Sequence, residues 1–380
     1  MTMPWSETLF ELPLDELPIA GERLVDARRR VASVAEGHGR NIVSDPAVYA
    51  TSPFIEALCQ AARPNTAAQA AVRPDALHIE FGRNQLGVED DGNRLIYPLA
   101  AHPSTGQTAV TSAVSPEVVD VPRHTTFASR PQPGRMAEPI LAISTDSFIW
   151  KLAHWTDLLV ANLLALQLRV RSITASRIAA GAAIHPTAIV ENSAIEHGAV
   201  VGPYAVVRNS SIGEGVQLDE HVSVAGSVIE DGTHVQTGAL VHGSVVGPST
   251  VVSFHCALRG SVALGRSTLS TPVIARSLIG RDVFLARGVS IGASLLGDEQ
   301  VRIRSNVGSV PSGLRLLGCA VGTGARVGNG TDLPPGYEVP AHRYLAQRPV
   351  AAVDPDSANR LPLVQVEGRF RQLSFARSGS

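Results

Sequence analysis

The sequence of 380 residues predicts a mainly β protein whose central part is a parallel β-helix, a stack of coils with three short strands each. A serine recurs every 17 residues from Ser176 to Ser261 and, after one step of 16, at Ser277 and Ser294. Apolar residues keep the same period in three columns, which indicates a repeat. The columns include Val190, Val207, Val224, Val241 and Leu258; Ile195, Ile212, Ile229, Val246 and Ala263; and Val201, Leu218, Val235, Val252 and Leu269.

Each repeat divides into spacings of 5, 6 and 6 residues, which predicts three strands and three turns per 17-residue coil over 172–340. Stacked coils lie about 4.8 Å apart, so residues of one column pair their backbones and a narrow apolar core runs along the axis. Glycines that directly follow the apolar residues, such as Gly202 and Gly213, relieve crowding at the turns. Small residues such as Ala205 and Cys256 are expected to fill the core.

The segments outside the repeat are less regular. Residues 1–140 are predicted to form a small α/β or α+β domain with a helix at 46–62, strands at 77–81 and 94–98, and an end rich in Pro, Ser and Thr. Residues 146–170, with Asp146 as N-cap, are predicted to form an amphipathic helix that caps the open first coil, whose core and edge would otherwise be exposed. Residues 341–380 form a C-terminal extension.

The phrases Ile-Gly-Glu-Gly-Val at 212–216 and Val-Gly-Thr-Gly-Ala-Arg-Val-Gly at 321–328 resemble those of hexapeptide-repeat left-handed β-helices. The short five-residue face is most similar to the C-terminal β-helix of sugar-phosphate nucleotidyltransferases, such as ADP-glucose and GDP-mannose pyrophosphorylases. The resemblance, and not the spacing, implies the left-handed sense. A glycine-rich Gly-x-Gly-x-Arg loop followed by lysine, which a nucleotidyltransferase needs to hold the triphosphate, does not occur in the N-terminal residues.

Composition narrows the range of partners. The formal net charge is −2, so no basic field favours nucleic acid. Three scattered cysteines predict neither a disulfide framework nor a zinc site. The longest apolar stretch, 158–168, is shorter than the roughly 20 residues of a membrane span, and the acidic, proline-broken start lacks the pattern of a secretory signal. A cytoplasmic location is therefore expected.

His255 and His221 share one column, where side chains are expected to point outward, and are the candidate catalytic residues. Acyltransferases of the fold that the repeat resembles use an outward histidine to deprotonate a sugar hydroxyl or amine. The resemblance further implies acetyl-CoA or another acyl-CoA as donor, bound in a groove between the subunits of a homotrimer. A solvated or interface histidine is the alternative. No metal is expected, because position 260, where a third histidine would complete a zinc site, is glycine.

The period breaks after Leu296, and 297–315 is predicted to be a loop or an irregular coil. Loops on a rigid scaffold commonly carry function. Arg302, Arg304 and Arg315, with Arg326 on the following coil, are the candidates for binding the phosphates of a nucleotide or of CoA. The alternative is that these are solvated arginines paired with neighbouring acids.

Two classes of function follow. The first is a transferase of nucleotide-sugar or acyl-sugar metabolism, acting on a small-molecule sugar or sugar nucleotide by CoA-dependent acyl transfer. The second is a non-catalytic β-helix, a regulatory or assembly subunit derived from a sugar nucleotidyltransferase. The missing phosphate loop favours the second over nucleotidyl transfer, whereas an outward histidine and an arginine-bearing loop favour acyl transfer.

Overall fold

The computed structural model describes residues 9–73, 88–104, 117–120, 146–295, 299–305, 308–346, 363–366 and 369–372. The chain divides into two compact units. One comprises Leu12–Leu168 with Ser312–Leu314, and the other comprises Met1–Glu11, Arg169–Pro311 and Arg315–Ser380. The first unit mixes helices with a sheet, and the second is a parallel β-solenoid. The predicted fold class is thus confirmed in both parts.

The first unit contains helices α1 (Leu24–Gly37) and α2 (Ser52–Ala61) beside a mixed sheet. Along the sheet, the strands lie in the order Arg40–Ser44, Leu95–Pro103, Ala68–Val72 and Glu117–Asp120, and Glu89–Asp90 pairs with Leu95–Pro103. Helix α2 and the strand Leu95–Pro103 confirm two of the predicted elements, whereas the strand predicted at 77–81 lies outside the described residues. Smaller elements are a 3-10 turn at Leu14–Glu16 and the paired strands Pro18–Ile19 and Glu22–Arg23.

The predicted helix 146–170 is correct only in its second part. Ile149–Lys151 is a strand that pairs antiparallel with Val48–Ala50, and helix α3 begins at Trp155 and ends at Arg171. The start is fixed by the Asp157 carboxylate, which accepts hydrogen bonds from the backbone N–H groups of Ala153 and His154 at 3.0 and 2.8 Å. The helix is buried on all sides from Trp155 to Leu166, so it is not amphipathic as predicted. The capping role remains a prediction.

The solenoid has three faces of stacked parallel strands, and coils step from face 1 to face 2 to face 3. Face 1 contains Arg177–Ile178, Ala194–Ile195, Ser211–Ile212, Val228–Ile229, Val245–Val246, Val262–Ala263, Leu278–Ile279, Ala320–Val321 and Glu338–Val339. Face 2 contains Ala183–Ile184, Val200–Val201, Gln217–Leu218, His234–Val235, Val251–Val252, Thr268–Leu269, Phe284–Leu285, Arg326–Val327, Tyr344–Ala346, Leu363–Val366 and Arg369–Gln372. Face 3 contains Ile189–Glu191, Val206–Arg208, Ser223–Ala225, Leu240–His242, Ala257–Arg259 and Val273–Ala275, and Ser290–Ile291 pairs with Asp332–Leu333 further along.

The register of the strands confirms the predicted columns. Ile212 pairs with Ile229 on face 1, and Val224 pairs with Val241 on face 3, in each case 17 residues apart. The column residues point into one continuous core that also contains Cys256, whose burial raises the pKa of its thiol to about 12. The cysteine is therefore an inert core residue, as the sequence indicated.

The period-17 serines form a buried hydrogen-bonded ladder, called here the serine ladder. In each rung the backbone N–H of one serine donates to the Oγ of the serine one coil earlier, at 3.1 to 3.4 Å. The ladder comprises Ser176, Ser193, Ser210, Ser227, Ser244, Ser261 and Ser277, and it ends where the N–H of Cys319 donates to Ser277 Oγ. Each hydroxyl thus satisfies a backbone group inside the narrow solenoid.

The break in the period is an excursion that leaves the stack continuous. Leu278 pairs directly with Ala320, so face 1 resumes on the same edge where it stopped. Between them, Arg302–Ser305 and Gly308–Pro311 pair as an antiparallel hairpin, where the sequence predicted a loop or irregular coil. The solenoid also continues beyond 340, because Tyr344–Ala346 and the hairpin of Leu363–Val366 with Arg369–Gln372 join the sheet of face 2.

Candidate functional site

The predicted catalytic histidines lie at the turn between faces 2 and 3, in the left-handed region with φ of 59° each. Both side chains are exposed. His221 stacks on Tyr204 of the preceding coil, with ring centroids 5.2 Å apart and planes at 9°. His255 covers Gly238 of its own preceding coil, because a Cβ at position 238 would lie 2.5 Å from His255 Nδ1. The two histidines are two coils apart, about 10 Å along the axis.

The same packing of histidine over glycine recurs at other turns of the solenoid. A Cβ on Gly181 would lie 2.9 Å from His197 Nε2, and a Cβ on Gly324 would collide with the ring of His342. An imidazole above a glycine one coil earlier is therefore a repeated turn geometry of this solenoid. The orientation of His255 follows from that packing and does not by itself indicate catalysis.

A different histidine carries the geometry of a general base. His234 lies on face 2, pointing outward between Gln217 and Val251 of the neighbouring coils. Its Nε2 lies 3.0 Å from both carboxylate oxygens of Asp219, and about a third of each side chain is exposed. A carboxylate that holds one imidazole nitrogen fixes the ring and its tautomer and stabilises the imidazolium that forms when the other nitrogen takes a proton.

Sequence reasoning missed the Asp219–His234 pair because it compared residues within columns, 17 apart. These two residues are 15 apart, which places them diagonally: His234 pairs in register with Gln217, and Asp219 follows two residues later on that coil. Acidic and imidazole residues separated by 15 or 19 positions were the available signal.

The outward column of face 2 connects His234 to one of the predicted arginines. In coil order the column contains Gln217, His234, Val251, Thr268, Phe284 and Arg326. Arg326 is exposed, and it lies four coil steps from His234, roughly 19 Å at the spacing of stacked strands. The residues between them are apolar or small. Face 2 therefore presents a strip with an imidazole near one end, a guanidinium at the other and a largely apolar surface between.

The other three predicted arginines are on a different part of the coil. Arg302 and Arg304 are exposed residues of the excursion hairpin. The Arg302 guanidinium donates to Ser309 Oγ at 3.0 Å and to the Ser309 carbonyl. Its backbone packs against Gly336, at the turn from face 3 to face 1.

Arg315 is exposed and follows the hairpin in sequence. The contacts of the hairpin at the turn from face 3 to face 1 place it away from the outward column of face 2. The structure therefore separates Arg326 from Arg302 and Arg304.

Within the described ranges there is no group of three or more His, Cys, Asp or Glu side chains placed to hold a metal ion. Among the same residues, no helix is both long and apolar enough to cross a membrane.

Neither a protein-family model nor a curated protein matches the chain. Solved structures similar to it include the acetyltransferase domain of PglB from Neisseria gonorrhoeae, at 16% identity, covering 30% of this chain and 50% of that chain with a TM-score of 0.22. A UDP-N-acetylglucosamine acyltransferase from Francisella novicida has 14% identity, coverage of 52% and 70%, and a TM-score of 0.31. A hexapeptide transferase family protein from Anaplasma phagocytophilum has 19% identity, coverage of 31% and 74%, and a TM-score of 0.14. This chain thus spans half the length of the first of these structures.

Proposed function

We propose that this protein transfers an acyl group from a CoA thioester to a hydroxyl or amine of a sugar or sugar nucleotide on face 2 of the solenoid. The observation that carries the proposal is the outward Asp219–His234 pair, because an imidazole held by a carboxylate is the group that such a transfer needs as general base. The hexapeptide-type phrases of the repeat support the same class of reaction.

The chemistry assigned to His234 is a balanced proton transfer. The free imidazole nitrogen takes the proton of the acceptor hydroxyl or amine as that atom attacks the thioester carbonyl. The C–S bond breaks, and the imidazolium returns the proton to the departing CoA thiolate. Asp219 holds the ring throughout and stabilises its positive charge, without itself contacting the reacting atoms.

Face 2 also suits the shape and charge of the donor. The strip of Val251, Thr268 and Phe284 offers an apolar track for the pantetheine arm, and Arg326 at its end offers a guanidinium to the phosphates. In this proposal Arg326 keeps its predicted role, whereas Arg302, Arg304 and Arg315 would reach the donor only from another subunit. A homotrimer, in which two subunits enclose the groove, completes the proposal.

The test follows thiol release from acetyl-CoA in the presence of a panel of UDP-sugars and sugar phosphates. His234→Ala is expected to lower the rate on the order of 10² to 10⁴ and Asp219→Asn about 10², both with acetyl-CoA binding retained. His197→Ala, at an exposed turn histidine, is the matched control and is expected to keep the wild-type rate. If His255→Ala abolishes transfer while His234→Ala does not, the base is the histidine that the sequence indicated.

A non-catalytic scaffold is the second candidate, and the repeated packing of turn histidines on glycines favours it. In that case His221 and His255 only cover the backbone of neighbouring turns. Acetyl-CoA at 100 times its dissociation constant would stabilise a binding protein by about 2.7 kcal/mol. Absence of any thermal shift with acetyl-CoA would end the acyltransferase proposal and leave the scaffold. Light scattering that finds a monomer would remove the intersubunit groove.

A further inference from the structure

Face 3 carries a second group of polar residues that the proposed acyl transfer does not use. His242 lies in an outward column with Arg208, Ala225, Arg259 and Ala275, and it pairs in register with Arg259 of the next coil. Its Nε2 lies 3.0 Å from Ser223 Oγ, two coil positions away on the diagonal. A hydroxyl, an imidazole and a guanidinium therefore lie side by side on one surface.

The positive charge of this group is not neutralised by a neighbouring acid. The column has one acidic member, Glu191, and its carboxylate is taken by Arg208 Nε at 2.8 Å. Arg259 is exposed and has no carboxylate within ion-pair distance among the residues that the structure describes. Arg276, on the coil that follows Arg259, adds a further cation and lies over Gly260. The lower part of the column thus presents basic groups that lack an anion.

The surface beside these groups is open. At Gly226 and Gly243, which follow Ala225 and His242 in sequence, an added Cβ would meet no atom within 4 Å. Both glycines have positive φ, of 56° each, so side chains are disfavoured at these turns. Small residues therefore leave space for a ligand next to the hydroxyl, the imidazole and the guanidinium.

The titration of His242 reflects the same environment. Partial burial lowers the pKa of the imidazole, and the positive charge of Arg259 lowers it further. An anion bound between the two residues would favour the imidazolium, so it would oppose both effects and move this pKa upward.

We infer that Ser223, His242 and Arg259 form a binding site on face 3 for a phosphoryl group. The guanidinium offers a planar pair of N–H donors, and the imidazole and the hydroxyl offer one donor each, which together match the several oxygens of a phosphoryl group better than the two of a carboxylate. The site is independent of the proposed acyl transfer, which lies on face 2.

The experiment follows the His242 imidazole by NMR through a pH titration of the full-length protein, with the signal assigned from its loss in His242→Gln. Inorganic phosphate is expected to raise the titration midpoint of His242 by on the order of one unit. By linkage, phosphate must then bind on the order of tenfold more tightly when the imidazole is protonated. Calorimetry at a pH below and a pH above the midpoint measures that ratio separately.

Two arginine variants of the same column control the test. Arg259→Gln removes the unpaired guanidinium and is expected to abolish the shift, whereas Arg208→Gln removes an arginine already paired with Glu191 and is expected to preserve it. Acetate is expected to give no shift. A nucleoside diphosphate and a hexose phosphate then compete with phosphate, and the tighter of the two identifies the natural source of the group. An unmoved midpoint with phosphate, or an equal shift in Arg259→Gln, would overturn the site.

Discussion

Replacing Ser227 with alanine tests whether the serine ladder is a structural requirement. The Ser227 hydroxyl is fully buried; it donates to the carbonyls of Ala225 and Val241 at 2.8 and 3.0 Å and accepts the N–H of Ser244 at 3.1 Å. Alanine removes the acceptor and leaves the buried N–H of Ser244 without a partner. The Ala225 carbonyl keeps a second donor, the N–H of Gly243 at 2.9 Å.

The free energy of unfolding is expected to fall mainly through that orphaned donor. A buried polar group left unsatisfied costs about 1 to 3 kcal/mol, so Ser227→Ala is expected to destabilise the solenoid by about 2 kcal/mol. Ser176 is the matched control, because it occupies the first rung but is exposed, with hydrogen bonds of 3.3 and 3.4 Å. Water can replace its hydroxyl, so Ser176→Ala is expected to change the free energy by no more than about 0.5 kcal/mol.

Urea unfolding followed by circular dichroism measures both variants, and hydrogen exchange reports the Ser244 amide directly. Faster exchange at Ser244 in Ser227→Ala, with unchanged exchange far along the axis, is the expected local signature. Equal losses of stability in the two variants, or wild-type protection of the Ser244 amide in Ser227→Ala, would refute the role assigned to the ladder.

Three further outcomes are expected. Ile229→Asp places an unpaired carboxylate in a fully enclosed core, costs several kcal/mol and should yield insoluble or unfolded protein; soluble protein with the wild-type melting temperature would contradict the column assignment. Gly238→Ala should destabilise more than Gly226→Ala, because both have positive φ but only the first would displace the His255 ring; equal melting temperatures would show that this packing is not significant. Cys256, with a thiol pKa of about 12, should resist alkylation in the folded protein at mildly alkaline pH and react after denaturation; prompt modification of the native protein would place it outside the core.

The solenoid could be predicted from the sequence because its contacts repeat. A residue such as Val224 meets its counterparts 17 positions away on both sides, so position in the repeat determines its neighbours and its burial. The serine period was visible in the same way, although the hydrogen bonds that each serine makes were not. Asp219 and His234 lie on a diagonal, where no column relation joins them.

The N-terminal unit offered no such regularity. Residues 149–151 form a strand because Val48–Ala50 provides a pairing edge, a partner about 100 positions away that local propensity does not reveal. Helix α3 also differs from the prediction because its polar Asn162 is buried, where it donates to the Pro18 carbonyl and accepts the N–H of Ala20. An asparagine that a helical pattern would assign to a polar face is thus an internal fastening.

The excursion after Ile291 has a consequence for how the chain folds. Most strand pairs of the solenoid close a loop of 16 or 17 residues, but Leu278 and Ala320 are 320 − 278 = 42 positions apart. Closing this longer loop costs about 0.8 kcal/mol more in chain entropy than closing a regular coil. Coils up to Leu278 can therefore form by successive addition of near neighbours, and the step from Leu278 to Ala320 is the slowest of the series. The last coils, from Ala320 onward, are expected to form late and to open first.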